Sequence, residues 1–125
     1  MARATFMPSS EPYYELFRMD SGHFDETLTA AILFDRDGKV LGFPIISRGL
    51  PDAEKLDVNA IFTAAAAQNA TALVLVHHDP ARRVQPTPEL EALHACLKEA
   101  SRRFGIILAD HIATGYGFWA CLREP

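Results

Sequence analysis

The chain has 125 residues, of which 49% are hydrophobic and 22% charged, and its formal net charge is −4. That size and balance fit one domain able to bury a core, and they exclude collagen, coiled coil and extended disorder. The longest apolar runs, residues 30–34 and 73–76, fall far short of the roughly 20 residues that cross a bilayer, and an acidic chain has the wrong sign to hold a phosphate backbone by itself.

The first ten residues carry one Arg and no apolar stretch ahead of a small-residue cleavage site, so the expected compartment is the cytoplasm. Residues 1–25, interrupted by Pro8, Ser9, Ser10 and Pro12, read as an irregular lead-in, and residues 26–125 as the domain. Residues 27–35 and 40–47 are apolar runs joined by Asp35-Arg-Asp-Gly-Lys39, which predicts a β-hairpin. After a loop containing Gly49 and Pro51, Asp57 is a good N-cap for an amphipathic helix that carries Val58, Ile61, Phe62, Ala65 and Ala66 and runs to Asn69. Residues 72–77 form a continuous apolar run, the pattern of a strand covered on both faces. Thr87-Pro88-Glu89 then supplies a hydroxyl cap, a proline at the first helical position and an acid in the first turn. Leu90, Leu93, Leu97, Ala100 and Phe104 make the apolar stripe of that helix, and Gly105 ends it. Residues 106–114 and 118–122 read as two more strands around a Gly115-Tyr-Gly117 turn. The resulting order, β-β-α-β-α-β-β, implies an α/β protein with a mixed β-sheet flanked by two main helices.

The densest polar cluster, His77, His78 and Asp79, directly follows the buried strand, with Thr87 at the head of the next helix. Strand ends that open into a loop before a helix are where α/β proteins place their sites, and these side-chain types ligate first-row metals or support the ligands. Val-Leu-Val-His77-His78-Asp79, seven residues beginning with Pro80, then Thr87-Pro88-Glu89-Leu90 resembles the metal signature of the RadC-like branch of the JAB/MPN (JAMM) metalloprotease family: His-x-His, seven residues starting with Pro, then Ser, two residues and Asp. The segments Phe104-Gly105-Ile106, Leu108-Ala-Asp110-His111-Ile112 and Leu122-Arg-Glu124 are similar to later family segments in the same order, and Arg48-Gly49-Leu50 and Gln68-Asn69-Ala70 to earlier ones. The likeness spans roughly residues 26–124 and implies the three-layer JAB/MPN (cytidine-deaminase-like) architecture.

In that family two histidines and an aspartate hold zinc, a serine supports the bound water and a glutamate is general base. Carried over by position, His77 matches the first ligand, Asp79 stands in place of the second histidine and Leu90 in place of the aspartate. The implied metal residues are therefore His77 and Asp79, and the implied catalytic residues are Thr87, which keeps the hydroxyl, and Glu26. Glu26 sits one residue further from Asp35 than the family spacing, a slip that turns a strand residue to the other face. A third ligand would have to come from His78, Glu89, Glu91 or His94. The expectation is a non-catalytic binding or assembly module with no cofactor. The competing reading is a zinc-dependent peptidase or isopeptidase with altered ligands. The expected partner is another protein, with a homo-oligomer possible and neither autonomous nucleic-acid binding nor membrane contact; the DNA repair suggested by the family's name finds no support in the charge. Asp110 and His111 read as core hydrogen-bonding residues, Arg82 and Arg83 as a solvated loop pair, Phe118 and Trp119 as core or sheet-face residues, and Cys96 and Cys121 as reduced core thiols.

Overall fold

The structure is a computed structural model and describes residues 10–122. Its elements are helix α1 (Glu11–Asp20), strands β1 (Leu28–Phe34), β2 (Val40–Gly42) and β3 (Ile45–Arg48), a 3-10 turn at Ala53–Lys55, helix α2 (Val58–Ala67), strand β4 (Ala72–His78), helix α3 (Pro88–Phe104), and strands β5 (Ile107–Gly115) and β6 (Phe118–Cys121). The sheet runs β2-β1-β4-β5-β6, with β3 also paired to β1. Only β4 and β5 are parallel among these pairings, and α3 is the crossover that such a pair requires. The protein is thus α/β, with a mixed six-stranded sheet and three helices among the described residues, consistent with the JAB/MPN fold.

Local chemistry fixes the helix ends where the sequence places them. Asp57 accepts the Ala60 N–H at 3.0 Å, Thr87 Oγ1 accepts the Leu90 N–H at 3.1 Å, and Gly105 takes the left-handed conformation (φ 67°) that ends α3. The second arm of the expected hairpin is broken into β2 and β3 at Phe43-Pro44. Proline has no N–H for a ladder, and here only its carbonyl bonds across, to the Ala31 N–H at 3.0 Å.

Alternation along the strands sorts the core into two layers. Leu28, Ala30, Ile32, Val74, Val76 and Ile112 pack on one face with Tyr13 and Phe17 of α1. Ala31, Leu33, Leu73, Leu75 and Ala113 pack on the other with α2 and α3. Helix α1 corrects the expectation that residues 1–25 are irregular, while the two main helices expected from the sequence are α2 and α3. Pro12 lies in the first turn, where its missing N–H costs nothing, so it starts a helix there rather than breaking one. The part of that lead-in before residue 10, and residues 123–125, lie outside the described residues. Ser10, at the N-cap of α1, does not cap it; its hydroxyl donates to buried Asp110 Oδ2 at 2.6 Å and ties the helix to β5. Cys96 is also corrected: it lies beside the α3 stripe and is exposed, while Cys121 is half-buried.

Phe17, on the inner face of α1, is fully buried. Phe17→Ala is expected to cost about 3–5 kcal/mol in a denaturant titration, the usual penalty of a large core cavity. A cost under about 1 kcal/mol would mean that α1 does not belong to the core.

Candidate functional site

Strand β4 is buried along its whole length, and at its end it must bury three polar residues in a row: His77, His78 and Asp79 are each 0% exposed. Strand alternation sends them to different surroundings. His78 points to the α1 face, where its Nδ1 meets Thr114 Oγ1 at 2.6 Å, its Nε2 meets the Phe24 carbonyl at 2.6 Å, and its ring lies against Phe17 and Phe24. It is a structural residue of that layer.

His77 points to the α2/α3 face and begins a chain of imidazoles. Its Nδ1 lies 2.8 Å from Thr29 Oγ1, and its Nε2 2.8 Å from His111 Nε2; His111 Nδ1 then lies 3.2 Å from His94 Nδ1, with the His94 and His111 rings stacked. Each contact needs one proton, so three neutral rings satisfy the chain in either of two directions. Thr29 can donate inward with protons on His77 Nε2 and His111 Nδ1, or accept with protons on His77 Nδ1, His111 Nε2 and His94 Nδ1. Burial enforces neutrality. It pushes the His77 pKa down to about 4, and burial together with the neighbouring His77 and His94 lowers that of His111.

Asp79 is enclosed by its own loop. Oδ2 accepts from Arg83 Nε at 2.8 Å and from the Arg83 backbone N–H at 3.1 Å; Oδ1 accepts from the Ala81 N–H at 3.0 Å and from Thr27 Oγ1 at 3.1 Å. Burial alone would raise its pKa, but the bonds from Arg83, Ala81 and Thr27 outweigh it and hold the carboxyl at about 2. The loop is closed further by Arg82, whose guanidinium donates to the Tyr116 carbonyl and lies over the Phe118 ring. Gly115 permits this approach, since a Cβ there would come within 2.8 Å of Arg82 Cγ and 3.0 Å of the Asp79 carbonyl oxygen. Both arginines lie exposed in this loop, as the sequence suggests, and each also has a fixed partner there. The available signal was the i, i+4 spacing from Asp79 to Arg83. Phe118 and Trp119 lie on the edge strand β6, and Trp119 is partly exposed.

The remaining sequence candidates stand apart from this loop or on its rim. Glu26 precedes β1 and is paired with Arg48 and His23; its bond with His23, helped by the Arg48 charge, outweighs partial desolvation and holds its carboxyl below the ordinary range. The side chain of this segment that reaches the end of β4 is its neighbour Thr27. Thr87 is occupied as the cap of α3 and borders a groove of about 550 Å³ with Arg83, Val84 and Leu90. Leu90 is buried in the core against α2 and the sheet. Glu89 and Glu91 are exposed in the first turn of α3. Among the described residues, no three His, Cys, Asp or Glu side chains are placed to hold one metal ion.

Residues 7–124 match the family model described as RadC-like JAB domain, and the chain belongs to that family. It is 26% identical over 110 residues to a UPF0758 protein of Roseiflexus castenholzii, an alignment covering 88% of this chain and 47% of that protein. It is 28% identical over 111 residues to a UPF0758 protein of Chloroflexus aurantiacus (87% and 48%), and 32% identical over 95 residues to one of Trichormus variabilis (76% and 39%). The chain spans about half the length of the curated relatives it matches. Among the described residues no helix is long and apolar enough to cross a membrane.

The buried groups set the acid response. Between the ordinary histidine value of 6.5 and about 4, the unfolded chain binds a proton at position 77 that the folded state refuses. Stability therefore falls as pH falls through this window, by up to about 1.4 kcal/mol per pH unit for each such histidine. Asp79 adds a loss of the same sign between 3.8 and about 2. Urea midpoints measured from pH 7 to 4 are expected to drop steadily. A flat profile from pH 7 to 4.5 would mean that the histidine chain is not buried neutral.

Proposed function

We propose that this chain is a RadC-like JAB domain with a degenerate metal site, acting as a non-catalytic binding or assembly module for a protein partner. The observation that carries this reading is what occupies the three positions matching the family's zinc ligands. His77 spends both ring nitrogens on Thr29 and His111, Asp79 spends both oxygens on its own loop and Thr27, and Leu90 is core. Catalytic zinc asks for three protein donors converging on one point with a fourth position open to water. The residues present do not fit that requirement. Glu26, the nearest match to a general base, is engaged with Arg48 and His23. The net charge of −4 favours a protein partner over nucleic acid.

One observation favours the competing reading of a zinc hydrolase with a relocated ligand: His94 belongs to the same cluster as His77, through His111. Metal content separates the two. The purified protein is expected to carry well under one equivalent of zinc; near-stoichiometric zinc that His77→Ala abolishes would overturn the degenerate-site reading.

Restoring the ligands tests the alignment. Leu90→Asp is expected to cost roughly 2–4 kcal/mol through lost packing and a carboxylate at the core edge. In the double variant Asp79→His, Leu90→Asp, zinc at about a hundred times Kd should return about 2.7 kcal/mol. The melting temperature should rise with zinc in the double variant and not in the parent. Equal responses would remove the basis for a degenerate site.

A further inference from the structure

A trough runs between the 3-10 turn at Ala53–Lys55 and the first turns of α3. One part, about 470 Å³, has an apolar floor of Leu56, Val58, Ala92, Leu93 and Cys96, with Glu54 and Glu89 on its rim. The same two carboxylates border the adjoining groove of about 550 Å³, beside Leu50 and Val84, so the two parts meet between them. Leu56 and Val58 pack only partly against the core, Ala92 and Cys96 are exposed, and Leu50 is 48% exposed.

The charges around the trough are unbalanced. Arg83 is held by Asp79, and Lys55 faces Asp52 at 3.6 Å, while the ion pairs among the described residues include neither Glu54 nor Glu89. Glu89 gains some stabilisation from the α3 N-terminus; Glu54 lies outside that helix. The trough therefore presents apolar surface between two uncompensated negative charges on a chain of net charge −4. Its length along α3, from residue 88 to 96, is about 12 Å at 1.5 Å per residue, the span of about four residues of extended chain.

We infer that this trough docks a short extended segment of a protein partner in which apolar side chains alternate with lysines or arginines. The apolar side chains fill the floor over Leu56, Val58 and Ala92, and the cations reach Glu54 and Glu89. This site is separate from the histidine chain and needs no metal, so it stands or falls independently of the zinc result.

Cys96 supplies a reporter inside the trough. The probe is the acetylated and amidated hexapeptide Lys-Leu-Lys-Leu-Lys-Leu, added to the full chain in the presence of a chelator. Expected results are saturable binding by fluorescence anisotropy, at least several-fold slower modification of Cys96 by an aromatic disulfide at saturation, and at least tenfold weaker binding when the lysines become glutamates or the leucines serines. Glu54→Gln with Glu89→Gln should weaken binding roughly 3- to 20-fold, the range of two exposed ion pairs. Ala92→Arg, at an exposed helix position, should abolish it with no change in melting temperature. Glu15→Gln, on the opposite face of the sheet, should leave affinity unchanged. The inference is overturned if Cys96 reacts at the same rate with peptide bound, if the glutamate peptide binds equally well, or if Glu15→Gln weakens binding as much as the trough variants. Protection of Cys96 that grows with protein concentration without peptide would also overturn it, because the occupant would then be a second copy of the chain.

Discussion

Three consecutive polar residues at the end of a fully buried strand impose the constraint around which this molecule is arranged. A buried donor or acceptor left unpaired costs on the order of 1–3 kcal/mol, and an unpaired charge costs more. His77, His78 and Asp79 are all sealed from water, and no buried side-chain nitrogen or oxygen among the described residues lacks a hydrogen-bond partner. Every element next to β4 contributes to that result. β1 offers Thr29, the segment before it offers Thr27 and the Phe24 carbonyl, β5 offers His111 and Thr114, and the following loop offers Arg83. Close approach matters as much as chemistry, since the loop can lie on the end of β5 only because position 115 has no side chain.

Strand alternation divides this work between the layers. His78, on the α1 face, is paired by Thr114 and the Phe24 carbonyl among aromatic rings, and α1 itself is tied to β5 through Ser10 and Asp110. His77, on the other face, is linked through His111 to His94 of α3, and Asp79 is taken up by its own loop and Thr27. The two histidines are adjacent in sequence and unrelated in role, and no single ligand could engage both without crossing the sheet.

Much of this was legible from the residues. Asp57, Thr87-Pro88 and Gly105 mark helix ends by local hydrogen-bonding and backbone preferences that tertiary packing does not override, and the continuous apolar run of β4 declares a strand covered on both faces. Helix α1 was hidden because prolines and serines crowd its start, although Glu11 in its first turn, Arg18 in its last and the one-turn spacing of Tyr13 and Phe17 are helical signals. The arginines are exposed in their loop as the sequence suggests, but their partners stay hidden for a different reason. Arg83 shows no partner as long as Asp79 is taken for a ligand, because a carboxylate given to a metal has no bond left for a guanidinium. Cys96 looks like core by composition alone, but its position beside the α3 stripe places it outside. The chain His77–His111–His94 joins residues from two strands and a helix, and no local pattern connects them.

The buried carboxylate connects the structure to the proposed function. Burial by itself would drive Asp79 toward its neutral form, so an ionised Asp79 needs a cation or several donors beside it. On the proposed reading Asp79 stands where the family would hold zinc; here a guanidinium and two backbone N–H groups bond the carboxylate. The Arg83 side chain is 58% exposed, so solvent screens the cation's end of the pair, and its effect is to neutralise the buried carboxylate and close the loop. Chemically the two cations are not equivalent. Zinc leaves a coordination position at which a water becomes acidic, whereas a guanidinium offers only N–H donors and has no Lewis-acidic site. On the proposed reading, the exchange of metal for arginine keeps the fold of the loop and removes the nucleophile, which leaves surface recognition as the work this domain can still do.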